Sequence, residues 1–219
     1  MTGGSVSGRS ISGRGISGRR VVLATRNAHK VIELRRILLA AGLESVELIG
    51  LDAYPDLPDV PETGATFEAN ALLKAHAVAA ATGLTAVADD SGLAVDALAG
   101  MPGVLSARWS GGLGDEANLQ LVLAQIADVP DDRRGASFEC AAAAVFPDGA
   151  EVVVHGQLTG TVTRAPRGTN GFGYDPIFVP TGGSRTTAEL DPDEKDAISH
   201  RGVAFRALAA RLHEIWSSG

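Results

Sequence analysis

The feature that most constrains the fold is an alternation of short apolar runs with helical patterns in the first half of the chain. Residues 19–25 (RRVVLAT) form an apolar run typical of a buried strand, and in residues 27–42 the apolar side chains recur at helical spacing until a glycine. A second strand is predicted over 46–51, followed by an alanine-rich helix over 66–83 that a threonine caps and a glycine ends. Such β-α-β units predict strands covered by helices.

The second half carries a different pattern. A helix is predicted over residues 115–129, and two strands are predicted over 136–146 and 151–163. The Pro-Asp-Gly turn at 147–149 joins these strands and predicts an antiparallel hairpin. Residues 191–194 (DPDE) combine an N-cap acid, a proline at the first helical position and the glutamate of a capping box, which predicts a final helix. Together the two halves predict a mixed α/β sheet.

The first twenty residues differ from the rest. They contain SVSGRSISGRGISGRR, in which Ser-Gly-Arg recurs three times, and they carry four arginines and no acid. Low hydrophobicity and self-repelling charge predict a disordered basic tail over residues 1–19 and a folded domain over 20–219. The tail lacks the continuous apolar core of a secretory signal; a transit peptide, a misassigned start and an inert extension stay open.

The charge and the cysteine content limit the partners and the compartment. Without the first twenty residues, 15 basic and 26 acidic residues remain, a net charge of −11, which disfavours binding to nucleic-acid backbones. No apolar run is long enough to span a bilayer. The single Cys140 excludes an internal disulfide and suits a reducing compartment. We therefore expect a cytoplasmic protein that binds neither nucleic acid nor membranes.

Two adjacent carboxylates follow the apolar run 84–88 (LTAVA). Acids at the end of a buried strand are costly unless they are paired or bound to a cation. Neighbouring side chains on a strand point to opposite faces, so Asp89 and Asp90 can share a task only if the strand ends there and the chain turns at Ser91-Gly92. Oxygen ligands near lysines suit Mg²⁺, with Glu62 as a third carboxylate, and an acid beside such a metal could align or deprotonate a water. The alternative is a polar turn with solvated acids.

Lysine is scarce in this chain. There are 16 arginines but only three lysines, Lys30, Lys74 and Lys195, and each lies among polar residues. A compact ammonium can reach a single phosphate oxygen where the guanidinium fork would not fit, so this usage favours phosphate contacts. Alternatively, the three lysines only occupy exposed positions on helices and bind no phosphate.

A polar turn at residues 25–30 (TRNAHK) joins the first strand to the first helix. Ligands collect beyond the carboxyl ends of strands in α/β sheets, and helix N-termini attract anions, so phosphates could bind there. The segment is not a P-loop, because no G-x-x-x-x-G-K-[ST] exists in the chain. Alternatively, Thr25 and Asn27 only cap the helix.

Two further segments could bind a planar base. The loop 168–176 (GTNGFGYDP) places Phe172 between glycines, where a base could approach both ring and backbone; an inward-packed turn is equally compatible. In residues 198–202 (ISHRG), His200 and Arg201 could donate to the carbonyl edge of a base, or form a solvated face.

Five ordered segments together resemble a known family. They are LATRNAHKVIEL, TFEANALLKA, ADDSGLAVDALAGMPGVLSARWSG, GFGYDPIFVP and AELDPDEKDAISHRGVA. Over residues 20–216 the chain resembles the non-standard purine nucleoside-triphosphate pyrophosphatases, the inosine/xanthosine triphosphate pyrophosphatase family. The resemblance implies a mixed, twisted α/β sheet flanked by helices, an elongated two-lobed architecture with a central cleft, and a homodimer.

The resemblance also implies a site. The implied substrate-binding residues are the phosphate-binding turn Thr25, Arg26, Asn27, Ala28, His29 and Lys30, the phosphate contact Lys74, the substrate contact Ser91, the base-binding loop Phe172, Gly173, Tyr174 and Asp175, and the purine-recognising residues Lys195, His200 and Arg201. The implied Mg²⁺ ligands are Glu62 and Asp90, with Asp89 close by, and Asp90 is also the implied general base. Many relatives have glycine where this chain has Arg26 and His29, so Arg26 could add a phosphate contact or point to solvent.

The implied reaction is Mg²⁺-dependent hydrolysis of ITP, dITP and XTP between the α- and β-phosphates. It yields a monophosphate and pyrophosphate and clears deaminated purines from the nucleotide pool. Two alternatives stay open: a metal-dependent phosphatase with an aspartate nucleophile, although its usual D-x-D pattern is absent, and a nucleotide-binding module without catalysis. Release of pyrophosphate, of phosphate or of neither distinguishes the three.

Overall fold

The computed structural model describes residues 18–218, which form one mixed, seven-stranded sheet flanked by helices. The strands are β1 (Arg20–Leu23), β2 (Glu47–Gly50), β3 (Thr85–Val95), β4 (Met101–Pro102), β5 (Gly135–Val145), β6 (Glu151–Val162) and β7 (Phe178–Pro180). The helices are α1 (Ala28–Ala40), α2 (Phe67–Thr82), α3 (Asp115–Gln125), α4 (Pro192–Ile198) and α5 (His200–Ser218). The strand order is β2-β1-β3-β5-β6-β7, with β4 beside the end of β3. The predicted fold class is confirmed.

Parallel and antiparallel strands occupy different parts of the sheet. β1 pairs in parallel with β2 and β3, as expected from the β-α-β units, whereas β3, β5, β6 and β7 pair in antiparallel order. The predicted hairpin is confirmed, with Val145 opposite Glu151 across its turn. Residues 1–17 of the predicted tail lie outside the described residues, and the proposed boundary at residue 20 stays a prediction. Gly18 donates its N–H to the Ser45 carbonyl at 3.2 Å.

Local capping signals fix the helix ends. The Thr66 side chain accepts from Ala69 N at 3.1 Å at the start of α2, and Gly83 ends that helix with a φ of 66°. The capping box predicted at Asp191 and Glu194 is present. Two details differ from prediction: α3 ends at Gln125, and the C-terminal segment forms two helices that meet at Ser199.

The predicted end of the strand at residue 88 is wrong. β3 continues to Val95 because β5 pairs with it residue by residue, from Ala86 onwards. Asp89 and Asp90 therefore lie in the middle of a strand, and their side chains point to opposite faces of the sheet. Both are buried, at 2% and 5% relative exposure, so neither is a solvated acid of a turn.

Small side chains let helices pack closely on both faces of the sheet. Residues 141–144 of β5 are four alanines that are fully buried. Two of them pack in the apolar cluster beneath α1 and α5, and the other two in the cluster beneath α2. A third cluster, around α3 and β7, fills the other end of the sheet. The described chain thus has two packed halves, as the two-lobed architecture requires, and β3 and β5 run through both.

A gap along one edge of β3 separates the two halves. β1 pairs with β3 only through Val87, and β4 pairs with it only from Ala94. Between these points no other strand of residues 18–218 lies along that edge. Along this gap, the backbone N–H of Leu93 has no strand partner in the described part of the chain and donates instead to the Ser106 hydroxyl at 2.9 Å. The gap begins where the parallel strand β1 ends, the position at which α/β sheets bind ligands.

No helix within residues 18–218 is both long and apolar enough to cross a membrane.

Candidate active site

Two adjoining cavities open at the gap in β3. The α2 cavity, about 410 Å³, lies between the β1–α1 turn, α2 and the proline-rich loop of residues 54–62. The aromatic cavity, about 130 Å³, lies between β3, the loop 168–176 and the start of α5. Asn27, Lys30 and Glu62 line both, so the two cavities form one continuous crevice.

Asp89 forms a buried charge cluster on the face of the sheet that α1 and α5 cover. Its Oδ2 lies 2.9 Å from Lys30 Nζ and 3.2 Å from Arg201 Nε, and it accepts from the Ser91 hydroxyl at 3.1 Å. Burial alone would raise the pKa of Asp89, but the charges of Lys30, Arg201 and Lys74 hold that pKa far below its usual range. Asp89 is therefore a permanent anion that anchors two cationic side chains.

Arg201 extends this cluster along α5. Its Nη1 lies 3.3 Å from Glu33 Oε2, and its Nη2 donates to the Ser91 hydroxyl at 2.7 Å. Two acids, Asp89 and Glu33, thus hold two bases, Lys30 and Arg201, in fixed positions. The cluster is balanced in charge, which offsets part of the cost of burying it.

Asp90 has different partners, on the face that α2 covers. Its Oδ2 accepts from Asn70 Nδ2 at 2.9 Å, and its Oδ1 lies 3.7 Å from Lys74 Nζ. Lys74 also lies 2.6 Å from Glu62 Oε1, while Arg108 Nη1 lies 3.4 Å from Glu62 Oε2. Burial and the negative charge of Glu62 together raise the pKa of Asp90, even though Lys74 opposes them. The two adjacent aspartates therefore differ in basicity.

The other charged members of this group remain ionised. Burial would raise the pKa of Glu62, but the charges of Lys74, Lys30 and Arg108 together lower it below its ordinary value. Burial would lower the pKa of Lys74, but the negative charges of Asp89, Asp90 and Glu62 raise it. Asp90 is thus the acid of this group best able to accept a proton.

Phe172 forms an aromatic platform between cationic groups. Its ring stacks against His29 with 5.7 Å between centroids and an interplanar angle of 25°. Arg201 Cζ and Lys195 Nζ lie 5.0 Å and 5.3 Å from its centroid. A ring flanked by cations in this way suits a planar, electron-rich ligand that offers both a π face and acceptor atoms.

Asp175 anchors the loop that carries Phe172. Its Oδ2 accepts from Phe172 N at 2.9 Å and from Lys195 Nζ at 2.6 Å, and its Oδ1 accepts from the Thr187 hydroxyl at 2.8 Å. The side chain is almost fully buried. Its carboxylate therefore holds the loop and Lys195 together.

Gly173 and Tyr174, which follow Phe172, tie the same loop to α3 and to the turn after β4. Gly173 N donates to Asp115 Oδ2 at 2.9 Å, at the first turn of α3. The Tyr174 hydroxyl donates to the Ser106 carbonyl at 2.8 Å. Both contacts fix the backbone of the loop at the mouth of the aromatic cavity.

His200 is a neutral imidazole inside the aromatic cavity. Its ring stacks on Phe138, with 4.8 Å between centroids and an angle of 13°. Burial and the nearby charges of Arg201 and Lys195 push its pKa well below the ordinary value. Its Nδ1 is buried and has no hydrogen-bond partner among the described residues. A neutral ring offers one donor and one acceptor, which suits recognition of a base edge.

In the turn at residues 25–30, Asn27 caps α1 and Thr25 holds Asn27. Thr25 Oγ1 accepts from Asn27 N, and Asn27 Oδ1 accepts from Lys30 N, each at 3.2 Å. Ala28 is the first residue of α1. Arg26 lines the α2 cavity while staying partly exposed. Its guanidinium lies 3.0 Å from Asp59 Oδ1 and holds the proline-rich loop.

Most of the predicted site residues line the two cavities. They are Thr25, Arg26, Asn27, Lys30, Glu62, Lys74, Asp90, Ser91, Phe172, Gly173, Tyr174, Asp175, His200 and Arg201. His29 and Lys195 line a third cavity, which shares Phe172 with the aromatic cavity. Asp89 lies beneath Lys30 and Arg201, on the face of the sheet opposite to Asp90.

The acids supply at most two ligands to a cation. Within residues 18–218 no three His, Cys, Asp or Glu side chains are grouped to hold a metal ion. The Lys74 ammonium lies between Glu62 and Asp90 and contacts both of them. Both acids offer hard carboxylate oxygens. Such a pair fits Mg²⁺ where phosphate oxygens of a bound ligand complete its coordination.

The sequence did not predict several residues of the site, among them Glu33, Asn70, Phe138 and Arg108. Glu33 and Asn70 carried a usable signal, because they lie three residues after Lys30 and four before Lys74, on the same helix faces. Phe138 and Arg108 carried none, since their positions depend on the pairing of β5 and on the turn after β4.

Comparison with known proteins shows similarity over most of the chain. The Ham1 family profile matches residues 21–211. The chain is 64% identical over 197 residues to a dITP/XTP pyrophosphatase of Streptomyces coelicolor, covering 90% of this chain and 98% of that protein. It is similar to the structure of a HAM1 protein from Coxiella burnetii (TM-score 0.80, 44% identity, 90% and 99% of the two chains). It is also similar to a nucleoside-triphosphatase / dITP/XTP pyrophosphatase from Mycobacterium abscessus (TM-score 0.70, 59% identity, 88% and 98%).

Proposed function

Because this chain belongs to the Ham1 family, we propose that it hydrolyses non-standard purine nucleoside triphosphates, dITP, ITP and XTP, to the monophosphate and pyrophosphate. One observation carries the proposal: all three lysines of the chain line the crevice or the cavity that adjoins it, and each is paired with a carboxylate. Lys30 pairs with Asp89, Lys74 with Glu62, and Lys195 with the anchor of the aromatic loop. An acidic protein that concentrates its lysines in one place is built to bind a polyanion there.

Lys30, Lys74 and the start of α1 support binding of the phosphates. Lys30 and Asn27 line both cavities, and the first turn of α1 offers backbone N–H groups and the positive end of the helix dipole. Arg26 contributes by holding the proline-rich loop, which carries Glu62. The triphosphate would thus extend from the aromatic cavity towards the α2 cavity.

Glu62 and Asp90 are the residues that would hold Mg²⁺. A bound ion would neutralise phosphate charge and polarise the phosphoryl group. Asp89 is not needed as a ligand, because its charge is committed to Lys30 and Arg201.

The environment of Asp90 supports its role as the general base. Its raised pKa and its fixed position against Asn70 let it orient a water and accept its proton. The water oxygen forms a bond to the α-phosphorus, the bond from that phosphorus to the bridging oxygen breaks, and pyrophosphate leaves with the bonding electron pair.

The aromatic cavity supports selection of a 6-oxopurine. Phe172 offers a stacking surface, while Lys195 and Arg201 donate and His200 presents a neutral ring. These donors would pair with the 6-oxo group but would face the amino group of adenine unpaired. Unpaired buried polar groups can discriminate by several orders of magnitude.

Three further expectations belong to the same proposal. The catalytic domain spans residues 20–219 behind a basic tail, the enzyme is a homodimer, and it acts in the cytoplasm. Sedimentation velocity of the full chain tests the second of these.

A product assay tests the proposed reaction. Incubation with ITP and Mg²⁺ is expected to release pyrophosphate and IMP in equal amounts, and EDTA is expected to stop the release. Ion chromatography separates pyrophosphate from phosphate. Phosphate as the first product would favour an aspartate-nucleophile phosphatase, and binding without turnover would favour a module without catalysis.

Replacing Lys74 by arginine tests the argument from lysine scarcity. Only 13% of the Lys74 side chain is exposed and its ammonium lies 2.6 Å from Glu62, so a broad guanidinium does not fit between the acids. We expect kcat/KM for ITP to fall by about tenfold or more. Arg185→Lys, at an exposed ion pair with Glu194, serves as the control and should leave kcat/KM unchanged. Full activity of Lys74→Arg would contradict the argument.

Replacing Phe172 by alanine tests the stacking platform. Loss of a stacked ring is worth about 1–3 kcal/mol, so KM for ITP should rise about tenfold or more while kcat changes less. Phe172→Tyr keeps the ring and should retain a KM near the parental value. Steady-state kinetics of the two variants decides the matter, and an unchanged KM in Phe172→Ala would remove Phe172 from the base site.

A further inference from the structure

Every carboxylate oxygen of Glu62 and Asp90 already has a partner within the chain. Glu62 Oε1 lies 2.6 Å from Lys74 Nζ, and Oε2 lies 3.4 Å from Arg108 Nη1. Asp90 Oδ2 accepts from Asn70 at 2.9 Å, while Oδ1 accepts a backbone N–H at 3.0 Å and lies 3.7 Å from Lys74 Nζ. The protein's own ammonium and guanidinium therefore neutralise the two acids.

Lys74 cannot easily leave these acids on its own. Its side chain is largely buried, so its ammonium has little access to water, and Glu62 and Asp90 are its ion-pair partners. A divalent cation held by both carboxylates would meet this ammonium at short range, and like charges at that distance repel strongly away from bulk water. Binding of a metal ion alone therefore requires displacement of Lys74 without a new partner for it.

We infer that Lys74 keeps divalent cations out of the crevice until a polyphosphate enters. The inference rests on the proposed function and concerns the order of binding at the same site. A triphosphate carries several negative charges and offers the ammonium new oxygen partners, so Lys74 can turn from the acids to the phosphates. The acids then become free for a metal ion, which enters together with the nucleotide as a metal–nucleotide complex.

Titration of the full chain with Mn²⁺ alone, followed by the EPR signal of free Mn²⁺, tests this order. The parental protein is expected to bind Mn²⁺ with a Kd of about 1 mM or weaker, because two neutralised carboxylates are poor ligands. Lys74→Gln keeps a long polar side chain, one atom shorter than lysine, but removes its charge, and it should bind Mn²⁺ at least about tenfold more tightly. No turnover is involved in this measurement.

Two further variants complete the design. Arg108→Gln removes the other cation from Glu62 at a half-exposed position, and it should tighten Mn²⁺ binding by about threefold. Lys195→Gln is the matched control, because Lys195 lies equally close to a carboxylate, 2.6 Å from Asp175, but away from Glu62 and Asp90. It should leave Mn²⁺ binding within about twofold of the parental value.

Each result supports or overturns the inference. A parental Kd well below about 1 mM without nucleotide overturns it, as does unchanged binding in Lys74→Gln or in the Arg108 variant, or equal tightening in the Lys195 control. The parental and Arg108 measurements decide the matter even if Lys74→Gln does not fold. Failure of the proposed function is separate, since it shows as absence of pyrophosphate release from ITP with Mg²⁺ present, whatever the affinity for Mn²⁺ alone.

Discussion

Replacing Asp90 by asparagine is expected to lower kcat for ITP hydrolysis by about 10²–10⁴-fold, the usual contribution of a general base. Asparagine has the same shape and can still contact Asn70, but it cannot accept the proton of the attacking water. Binding depends on several other groups, so the Kd of a non-hydrolysable ITP analogue should change far less than kcat. Rapid-quench measurement of pyrophosphate together with calorimetric titration of the analogue checks both quantities.

Asp131→Asn provides the control for this experiment. Asp131 is an exposed acid paired with Arg164 at 2.7 Å, away from the crevice, and its loss should leave kcat unchanged. A near-parental kcat in Asp90→Asn would show that another group accepts the proton, and the role proposed for Asp90 would be withdrawn.

Replacing Asp89 by asparagine is expected to affect stability most. Its Oδ2 is within 3.2 Å of two cations, and loss of its charge leaves them buried with only Glu33 to balance them. Removing one partner of a buried ion pair costs about 3–5 kcal/mol of unfolding free energy. Urea denaturation at neutral pH, compared with that of Asp131→Asn, measures the loss; a change below about 1 kcal/mol would contradict the anchoring role.

The pH dependence of this stability difference follows from the pKa of Asp89. That pKa is lower in the folded protein than in the unfolded chain, so ionised Asp89 stabilises the fold above the unfolded-state pKa of about 4. The stabilisation is lost as the pH falls below that value. The difference in unfolding free energy between the parental protein and Asp89→Asn should therefore be full at neutral pH and shrink below about pH 4.

The helix ends could be predicted because they depend on nearby residues. Thr66 and Gly83 act through hydrogen bonds and backbone angles within one turn, and the same holds for the capping box at Asp191. The length of β3 could not be predicted in this way. It depends on pairing with β5, some fifty residues further along the chain. From the sequence alone, the acidic pair in the middle of β3 predicted that the strand would end there.

The members of the site were easier to predict than their arrangement. Lysine scarcity pointed to Lys30, Lys74 and Lys195, and all three line the crevice or an adjoining cavity. The separate partners of Asp89 and Asp90 were not predictable, because sequence does not reveal which helix covers which face of the sheet. That packing decides which acid is a fixed anion and which can accept a proton.

Because two adjacent acids lie on opposite sides of one strand, the effect of an insertion in β3 depends on whether the number of added residues is odd or even. Each side chain takes its environment from an odd or even position in the ladder with β5. Inserting a single residue between Thr85 and Asp89, with the pairing before it kept, would exchange the two environments and present the anchored carboxylate to α2. A two-residue insertion would restore the original sides, so tolerance to added residues in this strand should alternate between odd and even numbers.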